Sequence, residues 1–175
     1  MDDPDATPAL LPDYAEWLER VTATVQAVSY TCRVRLGGGP DAAVAAEAVA
    51  LRVATGLVAR PAVFRHWGLP YSGRIAKLAE AGIADAVAGS AVGAGSWRVF
   101  RAALVAVPPE HQATLVATCV EGLGDDELAA TWGCDAVTAG ARRAATLAHM
   151  KELALRCGDD RAVVTATPTT TERER

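Results

Sequence analysis

The sequence has few aromatic residues and almost none of the alternation between polar and apolar residues that marks a half-buried β-strand. Aromatic residues make up 5% of the 175 residues, whereas hydrophobic residues as a whole make up 51%. Alanine and valine supply much of that apolar share, so the core must be built largely from small side chains. Alanine-rich segments that also carry leucine favour helix. The sequence therefore predicts an all-α fold.

Features of export and of membrane insertion are also missing. No run of about 18 apolar residues is free of charged side chains, so we expect no membrane-spanning helix. The first residues include Asp2, Asp3 and Asp5. A secretory signal instead begins with basic residues and continues with an apolar stretch. We therefore expect a cytoplasmic protein with no membrane partner.

The sequence lacks the residue spacings of metal, redox and catalytic sites. Its four cysteines form no CxxC pair and have no histidine at zinc-ligand spacing, which predicts reduced, buried thiols. Its three histidines fall in separate predicted segments, where surface or helix-capping positions are expected, and no cluster of acid, base and nucleophile is present. We therefore expect no metal, no cofactor and no enzymatic activity. These residues are Cys32, Cys119, Cys134, Cys157, His66, His111 and His149.

An excess of basic charge is absent as well. Residues 1–106 carry ten acidic and ten basic side chains, and residues 107–157 carry seven acidic and four basic ones, a net charge of −3. A free-standing DNA-binding protein normally has a basic face, because neutralising phosphates supplies most of its non-specific affinity. We therefore expect weak binding to duplex DNA by the chain alone.

Glycine, proline and capping residues divide the chain into helical segments. Ser72 is predicted to cap the third of these helices. Residues 89–96 contain only glycine, alanine, serine and valine, which is typical of a flexible linker. The sequence thus predicts two small helical lobes, 1–88 and 97–157, joined by this linker, and a disordered tail over 158–175. The predicted helices cover residues 12–36, 42–59 (capped by Asp41), 73–88, 97–107, 109–121, 125–132 and 136–156.

A short helix, a glycine-bearing turn and a longer helix follow one another from residue 125. Ala129 is small where the two helices must approach, and Gly133 can adopt a left-handed turn conformation. Asp135 can cap the second helix, whose first turns would face a DNA major groove. The pattern predicts a helix-turn-helix, but its spacing alone fits equally an αα-hairpin that only packs.

Four short motifs follow one another through the wider segment: Pro109-Glu110-His111-Gln112, Glu121-Gly122-Leu123, Glu127-Leu128-Ala129 and Trp132-Gly133-Cys134. In this order they resemble region 4 of extracytoplasmic-function sigma factors of bacteria, over about fifty residues. The resemblance implies a role in promoter recognition and transcription initiation through core RNA polymerase. It also implies that Thr138 and Arg142 on the second helix contact DNA, and the adjacent basic residue Arg143 is a second candidate for a phosphate or guanine contact.

The first half of the chain resembles region 2 of the same family through shorter motifs. Gly39-Pro40-Asp41-Ala42, with the helix that continues to Arg52, is similar to the segment that docks on the polymerase clamp. Arg74-Ile75-Ala76 is similar to a later helix that helps to read and melt the upstream promoter element. The resemblance implies that Arg52 and Arg74 are partner-binding residues.

Several positions depart from the family pattern. Gly140 stands where a lysine is usual, and Arg143 falls where a leucine normally packs. Ala43 and Val44 replace an acidic pair in the clamp-docking helix. These departures, with the acidic second half, keep an alternative open. In that alternative the chain is a sigma-derived interaction module that binds an anti-sigma or another protein and no longer binds DNA.

Overall fold

The computed structural model describes residues 9–60, 69–89 and 95–158 of the chain. Within those ranges the secondary structure is helical, with seven α-helices and no strand, which confirms the all-α prediction. A π-helical turn, Val116–Val120, continues the fifth helix. The helices are α1 (Pro12–Arg35), α2 (Pro40–Ala59), α3 (Leu69–Val87), α4 (Trp97–Val105), α5 (Pro109–Leu115), α6 (Asp125–Trp132) and α7 (Ala136–Gly158).

Most helix ends lie within two residues of their predicted positions. Proline stands in the first turn of α1, α2 and α5, where its missing N–H group costs no helical hydrogen bond. The prediction that Ser72 caps the third helix is wrong, because α3 begins at Leu69 and Ser72 lies inside it. Pro70, at the second residue of α3, is the start signal that the sequence reading passed over. The predicted tail, from residue 159 onward, lies outside the described residues.

The core of the molecule is one large cluster that draws on both halves of the chain. It is built around α1 and α2, and α7 packs along α2. Phe100, Leu104 and Met150 from the second half are fully buried in it beside Leu18 and Leu57 from the first. The buried residues therefore do not separate at the predicted linker, and the division into two lobes stays a prediction.

Polar contacts also join the two halves. The Tyr14 hydroxyl donates a buried hydrogen bond of 2.7 Å to the Leu104 carbonyl. The Leu11 N–H donates to Gln112 Oε1 at 3.0 Å, and that side chain in turn donates to the Val107 carbonyl at 2.8 Å. Because the inner groups of this network are buried, it fixes the start of α1 against the segment between α4 and α5.

α2 is long and apolar enough to cross a membrane by length and composition. More than half of its apolar stretch is buried inside the fold, where Val49, Val53 and Leu57 face neighbouring helices. The core helix of a globular protein has the same properties, so this feature is weak evidence for a membrane span.

Candidate nucleic-acid interface

α6 and α7 are joined by the three-residue turn Gly133-Cys134-Asp135. Gly133 has φ of 64°, the left-handed conformation that the turn requires and that glycine adopts without a steric cost. Asp135 Oδ1 accepts a 2.7 Å hydrogen bond from the Thr138 backbone N–H, so the predicted cap of α7 is present. This hydrogen bond lowers the pKa of Asp135, since it stabilises the ionised carboxylate. The first turn of α7 is thus fixed in place.

A small separate core holds α6 against α7. It consists of Ala117, Leu128, Ala129 and Ala139, and Trp132 packs against its edge. Three of the four buried side chains are alanines, which lets the two helices approach closely. As predicted, Ala129 is buried at this contact.

Arg142 is the most accessible of the predicted DNA-contacting residues. Its side chain is exposed, and its guanidinium carbon lies 5.8 Å from the centroid of the Trp132 ring, a cation–π contact that joins α7 to α6. A guanidinium placed on one ring face still presents N–H donors around its edge. Thr138 is half-buried one turn earlier, with its backbone N–H already bonded to Asp135.

Arg143 is directed instead towards α6. Its Nη2 atom lies 3.0 Å from Asp125 Oδ1 and donates a hydrogen bond of 3.1 Å to Oδ2. Both side chains are more than a third exposed, at 37% and 38%, so the pair lies at the surface. The structure therefore gives Arg143 a partner within the chain, and its predicted DNA contact would have to compete with that partner.

Gly140 lies over the same carboxylate. A Cβ atom built at this position would stand 3.2 Å from Asp125 Oδ2, closer than most van der Waals contacts of a Cβ atom, and 3.4 Å from Asp125 Cγ. The absence of a side chain at 140 thus lets α7 lie directly over Asp125. Two of the departures from the family pattern, Gly140 and Arg143, meet at one residue of α6.

The exposed face of α7 carries a residue that the sequence reading did not select. Val137 is 83% exposed at the second position of the helix, next to Thr138. Ala141, Ala144 and Ala145 continue the exposed face along the helix. The position of Val137 in the first turn of the second helix could have indicated a contact residue from the sequence, because apolar side chains there can contact thymine methyl groups.

The predicted partner-binding residues lie elsewhere, on α2 and α3. The Arg52 guanidinium forms an ion pair with Asp85 of α3. Arg74 donates two hydrogen bonds to carbonyl groups near the end of α2, at 2.7 Å to Arg60 and 2.9 Å to Gly56. Both arginines thus join α2 to α3, and a binding role would share them with these contacts.

Two histidines that the sequence placed in separate segments lie together between α5 and α7. The rings of His111 and His149 are stacked, with centroids 4.6 Å apart, and His111 Nδ1 lies 2.7 Å from Thr146 Oγ1. Burial and the neighbouring His111 lower the pKa of His149. His66 lies outside the described residues. In the parts of the chain that the structure covers, no group of three or more His, Cys, Asp or Glu side chains could hold a metal ion.

Searches against protein-family models, curated proteins and solved structures returned no match to this chain.

Proposed function

We propose that the protein is a sigma-factor-like transcription regulator that acts in promoter recognition and transcription initiation through RNA polymerase. The observation that carries the proposal is the α6–turn–α7 unit, with its left-handed glycine, its capped second helix and an exposed Arg142 in the first turns of that helix. An arginine in this position of a helix-turn-helix can contact guanine edges or phosphates in the major groove.

The role needs no catalytic residue and no cofactor, but it does need core RNA polymerase. Residues 107–157 have a net charge of −3, and one of the two arginines in the first turns of α7 is paired with Asp125. Such a surface gains little from counterion release, so promoter DNA would be bound weakly by the chain alone. Polymerase would supply most of the DNA contact, and α7 would contribute recognition at one position.

A second candidate function is a protein-interaction module that no longer binds DNA. Three observations favour it. Arg143 is paired with Asp125, and the first turn of α6 is acidic. Arg52 and Arg74 are already bound to groups of the fold, an aspartate and backbone carbonyls. In that case the binding partner would be an anti-sigma or another protein, and the exposed apolar face of α7 would be available to it.

The experiment that separates the two candidates uses the full chain, immobilised, with purified core RNA polymerase and a pool of random duplexes. Retention of polymerase together with enrichment of particular duplexes would support transcription initiation. Enrichment should fall when Arg142 is replaced by alanine and should persist for Lys151→Ala, which removes the same charge further along α7. Failure to retain polymerase, with no duplex enriched, would contradict the proposal and leave the interaction module.

A further inference from the structure

We infer that Asp125 is an internal competitor for DNA: its carboxylate holds the Arg143 guanidinium on α6, so that α7 presents Arg142 alone. The inference rests on the proposed function and assigns a role to Asp125, a residue that the sequence resemblance did not single out. It makes Asp125 a positioning residue that limits how many phosphates this helix can contact.

The guanidinium of Arg143 and the carboxylate of Asp125 are in direct contact. One guanidinium nitrogen of Arg143 lies 3.0 Å and 3.1 Å from the two carboxylate oxygens of Asp125. Oδ1 is buried and, among the described residues, accepts no hydrogen bond, so the nearby positive charge is what compensates it. A carboxylate and a phosphate offer a guanidinium the same kind of paired oxygen acceptors. Asp125 therefore takes the place on Arg143 that a DNA phosphate would take.

Gly140, the position of α7 opposite Asp125, leaves room for the carboxylate. At residue 140 any side chain would approach Asp125 Oδ2 to about the 3.2 Å found for a bare Cβ. Glycine at 140 and arginine at 143 lie three residues apart and thus on one face of α7, the face that meets α6. The two departures from the family pattern act together, because one admits the carboxylate and the other pairs with it.

The contact between Asp125 and Arg143 is weak enough to be released. Both side chains are more than a third exposed, and ion pairs of that kind contribute about 0–1 kcal/mol. Removing the carboxylate should therefore raise affinity for DNA by up to about fivefold, which is what such a free energy converts to. The freed guanidinium lies at the surface of the same helix as Arg142.

The test compares Asp125→Asn with Asp126→Asn in the full chain. Asp126 is exposed in the same first turn of α6, so its replacement changes net charge and helix-dipole interactions by the same amount. The probe is a fluorescently labelled random duplex, titrated by anisotropy over a salt series that begins at low salt. Thermal unfolding of each variant checks that the fold is retained.

Asp125→Asn should bind more tightly than Asp126→Asn and should steepen the salt dependence by about 0.9, the slope for one added phosphate contact. The added slope should disappear in the double variant Asp125→Asn/Arg143→Gln. Equal slopes for the two asparagine variants, with Arg142→Ala still weakening binding, would overturn the role of Asp125 alone. Binding that Arg142→Ala leaves unchanged would overturn the proposed function together with the inference. No binding by any variant at low salt would overturn the inference, because the freed guanidinium would then add no DNA contact, whereas the proposed function is decided by binding in the presence of polymerase.

Discussion

The α2–α3 contact and the α6–α7 contact are both built from a helix pair and two arginines, but they use those arginines differently. At α2–α3, Arg52 and Arg74 bind a carboxylate and two carbonyl groups of the fold. At α6–α7, Arg143 is paired with Asp125, whereas Arg142 stays exposed beside Trp132. A basic residue in a matching motif therefore has a predictable position in the fold, but its neighbours decide whether its side chain is accessible to a binding partner.

The hydrophobic contacts of the two regions differ in size as well. Leu57 of α2 belongs to the large cluster shared by both halves, whereas Leu128 of α6 belongs to a cluster of four buried residues. Both side chains are almost fully buried. We expect Leu57→Ala to lower the free energy of unfolding by about 3–5 kcal/mol, because a wide, closely packed core cannot collapse around the cavity.

Leu128→Ala should cost less, about 2–3 kcal/mol, because short helices around a small cluster can move inward. Chemical denaturation of both variants measures the difference, and amide hydrogen exchange shows where it acts. Exchange should accelerate throughout the chain for Leu57→Ala but mainly in α6 and the start of α7 for Leu128→Ala. A uniform acceleration in both variants would show that α6 and α7 have no separate stability.

The buried hydroxyl that joins the two halves gives a smaller effect. Tyr14→Phe removes the donor to the Leu104 carbonyl and leaves that acceptor buried at the contact between α1 and α4. We expect the free energy of unfolding to fall by about 1–1.5 kcal/mol, the upper range for one lost hydrogen bond, because the Leu104 carbonyl keeps only the longer bond from the Val107 N–H, at 3.3 Å. Denaturant unfolding of the wild type and this variant, with the exposed Tyr30→Phe as control, measures it. An unchanged midpoint for Tyr14→Phe would mean that the halves are not held together there.

The assignment of Arg74 to the fold can be separated from its predicted role in partner binding. Arg74→Met removes both hydrogen bonds to the end of α2 and should lower stability by about 1–2 kcal/mol, as charged donors to carbonyls contribute. Lys77→Met, which removes a charge from an exposed position of the same helix, is the control. Unchanged stability in Arg74→Met, combined with loss of polymerase retention, would instead favour a direct contact with the partner.

The stacked histidines predict a small dependence of stability on pH. Because burial, His111 and Arg156 lower the pKa of His149 in the fold, the unfolded chain binds its proton more readily, although Glu110 and Glu152 oppose this shift. The contribution of His149 is therefore fully present above its unfolded pKa of about 6.5 and is lost as pH falls through the lower folded pKa. Urea unfolding between neutral and mildly acidic pH should show a shallower loss for His149→Gln than for the wild type. An equal loss of stability with falling pH in both proteins would mean that the fold does not lower the pKa of His149.

The helices and their ends could be predicted from the sequence because the deciding residues are local. Proline at the start of α1, α2 and α5, Gly133 at the turn and Asp135 at the cap of α7 each act within a few residues of their position. The large core was less predictable, since Tyr14 and Leu104 are 90 residues apart and nothing in the local pattern relates them.

The location of the candidate site could be predicted from the sequence, but the pairing of side chains within it could not. The turn and the exposed Arg142 follow from the pattern of residues 125–142. The contact of Asp125 with Arg143 and Gly140 depends on the angle at which α6 crosses α7, which no single segment specifies. The same holds for His111 and His149, which are placed side by side only by the packing of α5 on α7.

The measurement that tests the central claim most directly is the affinity of the complex with core RNA polymerase for a duplex enriched from the random pool. Wild type, Arg142→Ala and Lys151→Ala are compared at one salt concentration by anisotropy. If α7 reads DNA through Arg142, its replacement should weaken binding by about 5- to 150-fold, which corresponds to the 1–3 kcal/mol of a base-reading arginine. Lys151→Ala should stay close to the wild type. Equal affinities for all three proteins would contradict the claim that this helix reads DNA.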